Sequence, residues 1–174
     1  ARENSLAEET LSRIHSSPEN YARKRTLLIE IRIAEKRWLE VEELIQDGLQ
    51  NSKSDESRGL LMTLKGRSLY LQKKFADSSK VLEKAAILLV QTPTVAQTLL
   101  LLANAYEIQN LNKLAAEAYD KLIKNKLIKE ISLSENQIRE ISRLLELENK
   151  LNSALACLEL LNEKNFFYTL QKAR

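Results

Sequence analysis

Apolar residues recur along this chain at three- and four-residue spacings, the period of a helix with one buried face. Leu27, Leu28, Ile31 and Ala34 form one such stripe, and Val41, Leu44, Ile45 and Leu49 the next. Ser5-Leu6-Ala7-Glu8 has the spacing of a capping box and opens a helix to about Ile14. Ser17-Pro18 reads as an N-cap and first helical residue, starting a helix over 18–36. Trp38 follows a basic break and begins the next helix. In it Gly48 is either a contact or an early stop. The Ser-rich stretch 51–57 is the clearest loop. Helices over 56–73, 75–90, 93–109 and 113–126 follow, with Thr92-Pro93 repeating the Ser17-Pro18 device. Residues 125–133 fit either a helix extension or a packed loop. Ser134-Glu135-Asn136-Gln137 is a second capping box. It opens a helix over 135–148, then one over 152–161 and a last short one from Glu163.

The stripes repeat. Aligning Gly66 with Ala103 sets Met62 on Leu99, Leu69 on Tyr106, Ser78 on Ala115, Leu82 on Tyr119 and Ala85 on Leu122. Ser142 and Ile29 fall in the same register, so the steps from 29 to 66, 103 and 142 are 37, 37 and 39 residues. Trp38 then aligns with Phe75, Val41 with Ser78 and Ile45 with Leu82. Each unit reads as two antiparallel helices. Small residues bring the two backbones close, and large ones fill the grooves beside them. Trp38 and Phe75 are placed to cover the turn.

Composition narrows the class. With 174 residues, 44% hydrophobic and 29% charged, the chain is long and apolar enough for a real core. Three Gly and two Pro are too few for a turn-rich β fold, which makes the expected class all-α. A net charge of +3 without a dense basic run argues against nucleic acid as a partner. An apolar stretch such as 98–103 is too short for a bilayer, so no direct membrane insertion is expected. No signal-peptide pattern appears, and the start at Ala1 suggests an excised or processed fragment. The expected compartment is the cytoplasm, with the periplasm left open. Cys157 has no second cysteine to pair with and reads as a core residue.

Catalytic chemistry finds little support. His15 is the only histidine, no Gly-rich phosphate loop exists, and no nucleophile–base set stands out. Glu8-Glu9 and Glu42-Glu43 are adjacent on helices and point about 100° apart. The reading is non-enzymatic, with no cofactor and no metal.

The third unit carries Leu99, Leu102, Ala103, Tyr106, Ala115 and Tyr119. The second carries Gly66, Leu69, Phe75, Leu82 and Ala85, and the fourth Ile141, Leu145, Leu151, Ala154 and Leu158. In these residues the chain resembles the tetratricopeptide (TPR) repeat family over about 20–162. Its period is longer than that family's, and Lys65 sits where a Leu is usual. The resemblance implies a right-handed α-solenoid of about four TPR-like helix-turn-helix hairpins with N- and C-terminal capping helices. The repeats would be 18–50, 55–90, 93–126 and 134–162, flanked by 5–15 and 163–173, in one domain over 1–174.

It also implies a scaffold or adaptor that binds a protein segment or helix on a concave face lined by the first helices. The alternative is a regulatory or assembly domain of a larger enzyme or transport machine. The family's groove register falls on Arg23, Thr26, Glu30 and Ile33, on Leu60, Thr63, Arg67 and Tyr70, on Gln97, Leu100, Asn104 and Glu107, and on Asn136, Arg139, Arg143 and Glu146. Arg67, Arg139, Arg143, Asn104, Asn136 and Tyr70 would form a basic strip for a partner of acidic character. The carboxylate clamp of some members is not expected, because its matching positions are Thr63, Arg67, Leu101, Asn136 and Glu140. The aromatic segment 165–170 is expected to pack on Leu158 and Leu161. Left exposed, Phe166 and Phe167 would support self-association.

Overall fold

A computed structural model describes the backbone of residues 18–172 and the side chains of residues 22–161. The opening capping box, His15 and the side chains of Phe166 and Phe167 lie outside the described residues. Eight α-helices and no strand occur among the described residues, so the fold class is all-α. They are α1 (Pro18–Ala34), α2 (Trp38–Asn51), α3 (Asp55–Leu71), α4 (Phe75–Leu88), α5 (Val95–Ile108), α6 (Asn112–Lys124), α7 (Glu135–Leu147) and α8 (Leu151–Lys172).

Successive helices pair into four hairpins: α1 with α2, α3 with α4, α5 with α6, and α7 with α8. All four turn in the same way. Lys36, Lys73, Asn110 and Asn149 adopt left-handed backbone, with φ of 59°, 62°, 59° and 59°. Their N–H groups donate to Ile33, Tyr70, Glu107 and Glu146, three residues back. The next residues, Arg37, Lys74, Leu111 and Lys150, donate to Arg32, Leu69, Tyr106 and Leu145, five residues back. This is the Schellman arrangement, which satisfies the last carbonyls of a helix. The carbonyls of Arg37, Lys74, Leu111 and Lys150 then accept from Val41, Ser78, Ala115 and Ala154 and start the second helix. The left-handed residues at 36, 73, 110 and 149 are 37, 37 and 39 apart, the register of the apolar pattern.

The small residues sit where the paired helices touch. A Cβ on Gly66 would lie 2.5 Å from Cγ and Cδ2 of Leu82, itself fully buried. The Ser78 hydroxyl donates to the Gly66 carbonyl at 2.8 Å. In the last hairpin the roles are exchanged between equivalent positions: Ser142 donates to the Ala154 carbonyl at 3.0 Å. Ala103 and Ala115 fill the same two places in the third, both fully buried, and Ile29 and Val41 in the first. Tyr70 meets Phe75 edge to face across the turn, ring centres 5.3 Å apart.

Several boundaries differ from the sequence reading. Gly48 is a contact, since a Cβ there would lie 2.7 Å from Leu61 Cδ1. Thr92-Pro93 does not start a helix. The Thr92 hydroxyl and N–H both turn back to the Leu89 carbonyl and close α4, and α5 begins only at Val95. The ambiguous stretch is a loop, with Lys126 left-handed (φ 57°), a 3₁₀ turn at Leu127–Glu130, and Ile128 and Leu133 buried. The last two predicted helices are one, α8, because no Gly or Pro interrupts 151–172.

The chain divides into two compact units at Thr92/Pro93. In the first, α2 packs on α3 and α1 also reaches α3. Its core joins Ile29, Ile33, Val41, Ile45, Leu61 and Leu64. Two ion pairs reinforce this core. Arg25, buried beside Gly48, meets Asp47 at 3.0 Å, and Lys65 reaches Glu42 at 2.5 Å, which gives that lysine a role between α3 and α2. In the second unit α6 packs on both α7 and α8. There Asp120 of α6, buried, accepts from Ser153 at 2.5 Å and Lys124 at 2.8 Å, with Lys150 at 3.5 Å.

Candidate functional site

The two units treat their first helices differently. In the first unit only residues 52–54 separate α2 from α3, and α3 lies directly against α1. In the second, residues 125–134 intervene before α7, and the backbones of α5 and α7 do not approach closely. The capping box predicted at Ser134 fixes where α7 starts: the hydroxyl accepts from the Gln137 N–H at 3.3 Å, and the Gln137 side chain accepts from the Ser134 N–H at 2.9 Å. Leu133, just before this cap, is buried against the unit.

Between α5 and α7 lies a groove of about 140 Å³. Leu100, Asn104 and Glu107 line it from α5, Tyr119 from α6, Leu133 from the loop, and Gln137, Glu140 and Ile141 from α7. The helical spacing of 100, 104 and 107 on α5, and of 137, 140 and 141 on α7, points one face of each helix into it. Tyr119 is 2% exposed, and its hydroxyl donates to Asn104 Oδ1 at 2.9 Å. Burial raises the Glu107 carboxyl above its ordinary value. A hydrogen bond with Tyr119 opposes that rise, and the facing charge of Glu140 adds to it. None of the eight lining residues is cationic. The groove thus joins a small apolar area to a polar strip that holds two carboxylates.

Leu100, Asn104 and Glu107, expected at the site, all line this groove. Asn136, Arg139 and Arg143 do not: they stand exposed on α7, with Arg139 4.0 Å from Glu135. The groove takes its α7 residues from a neighbouring stripe. In the first unit Arg23, Glu30 and Arg67 are exposed, and Thr63 and Tyr70 are half-buried. Thr63 donates to the Gly59 carbonyl of its own helix at 3.0 Å, and Tyr70 is engaged by Phe75. Ile33 is buried in the core and is unavailable to a groove. Tyr119, Leu133, Gln137, Glu140 and Ile141 were not singled out for this role. Tyr119 and Ile141 are legible as repeat positions and Gln137 as part of the capping box, while their meeting in one groove depends on how the loop before α7 folds.

Burial pushes the Cys157 thiol up to about 11, as fits a core residue. No group of three or more His, Cys, Asp or Glu placed to hold a metal occurs among the described residues, and none of their helices is long and apolar enough to cross a membrane. Comparison of the chain with protein-family models, curated proteins and solved structures finds no match in any of the three.

Proposed function

We propose that this chain is a non-catalytic protein-interaction module, a TPR-like array of helical hairpins that docks a segment of a partner protein. The observation that supports the reading best is the groove between α5 and α7. It is preformed, opens on one face of the second unit, and presents a mainly polar surface, from Asn104, Glu107, Gln137 and Glu140, beside Leu100 and small areas of Ile141. Placed polar groups of this kind give a docked peptide its orientation and specificity. The four-fold recurrence of one turn geometry also supports it, because such arrays present side chains from successive first helices to a ligand. Assembly of a multiprotein complex is the role that such a surface serves. Peptides selected from a random display library against the chain provide the test. They should bind at least about tenfold more weakly to Leu100→Arg, whose longer side chain fills the groove. Unchanged affinity for that variant, or no enrichment at all, contradicts the assignment.

A further inference from the structure

We propose, building on the docking role just given, that the groove between α5 and α7 is a subsite for one cationic side chain, a lysine or arginine presented by the partner protein. Charge complementarity argues for it. Glu107 and Glu140 face each other across the groove, and no basic residue lines it. Two carboxylates brought together on a partly dry surface repel, and a cation between them removes that repulsion. The Tyr119 hydroxyl has a single proton, which Asn104 Oδ1 receives at 2.9 Å, while Glu107 draws on the same hydroxyl. The Glu107 carboxylate therefore keeps lone pairs for a donor arriving from outside.

Shape points the same way. Lysine and arginine carry an apolar stem that lies along hydrophobic walls while the charged head finds acceptors. Leu100 offers the main apolar contact, with small areas of Leu133 and Ile141, and Glu107 and Glu140 offer the acceptors. About 140 Å³ suits one such side chain and is too little for a helix. An anionic side chain would meet two like charges. The arginines of the expected basic strip stand outside this groove, so the side chain it selects is opposite in sign to the one that strip would favour.

The test uses three short alanine peptides that differ only at a central lysine, norleucine or glutamate, titrated into the labelled chain and followed by backbone amide NMR. The lysine peptide should shift the amides of Asn104, Gln137, Glu140 and Ile141. It should bind about tenfold or more tighter than the norleucine peptide, and lose that margin on Glu107→Gln/Glu140→Gln, which keeps shape but removes charge. A matching thermal midpoint for the double variant and the parent, or a higher one for the variant, shows that the fold is intact. Equal binding of lysine and norleucine peptides, preference for glutamate, or no effect of the double variant overturns the cation subsite and leaves docking standing. If no peptide moves these amides, the docking role of the groove falls as well.

Discussion

The unit before Pro93 and the unit after it are built from the same hairpin, yet one closes over its first helices and the other leaves them apart. In the first, α3 runs for 17 residues and begins just after α2, so it packs along α1. In the second, α7 has only 13 residues. The chain ahead of it is taken up by left-handed Lys126, a 3₁₀ turn and the buried Leu133. Two extra residues in the repeat step accompany this change. Regular stacking buries the first-helix face, and an irregular connection exposes it. The groove proposed for docking lies where local regularity fails, as is common for sites carried on a repeated scaffold.

The largest expected effect lies in the regular unit. Gly66→Val places a branched side chain where even a Cβ would sit 2.5 Å from fully buried Leu82. It should lower stability by about 3 kcal/mol, seen as a lower urea midpoint, because overpacking forces the paired helices apart. The equivalent position of the first hairpin already holds Ile29 opposite Val41, so the penalty belongs to the Gly66–Leu82 contact and not to the position as such. An unchanged midpoint would mean that α3 and α4 do not approach as closely as described.

A smaller effect is expected in the second unit. Asp120 joins α6 to α8 through Ser153 and to the turn before α8 through Lys150. Burial alone would raise its carboxyl, but hydrogen bonds from Lys124 and Ser153 and the charge of Lys150 outweigh it and hold the group below its ordinary value. A carboxyl depressed in the folded state adds stability above its unfolded value, near pH 4, and loses it as pH falls through the folded one. Asp120→Asn should therefore lower the stability of this unit at pH 7 by about 2 kcal/mol, and the two proteins should converge as pH drops below about 4. Chemical unfolding at several pH values measures this. A gap that stays constant with pH would show that the carboxylate charge is not what couples α6 to α8.

The sequence carried the helices and their register well. Both follow from apolar spacing, and the small residues at 66, 78, 103, 115, 142 and 154 mark the helix contacts directly. The capping box at Ser134 was equally plain, since its chemistry is local. The left-handed turns were hidden because Lys36 and Lys73 hold a conformation that glycine or asparagine usually signals. Thr92-Pro93 misled because the Thr92 hydroxyl donates back to the Leu89 carbonyl, which closes α4. The groove was only half visible. Leu100, Asn104 and Glu107 come from a helix whose register was secure, while the α7 residues depend on how residues 125–134 fold, which periodicity does not encode.

The central claim is that the first helices are apposed in one unit and parted in the other. Spin labels at equivalent positions test it directly: Glu30→Cys with Arg67→Cys on α1 and α3, and Asn104→Cys with Arg143→Cys on α5 and α7, each pair in its own protein. Cys157 is buried, with its thiol pushed up to about 11, and should stay unlabelled. Pulsed electron–electron distance measurements should give a clearly longer separation for the 104/143 pair than for the 30/67 pair. Equal separations, or a shorter one between 104 and 143, would contradict it.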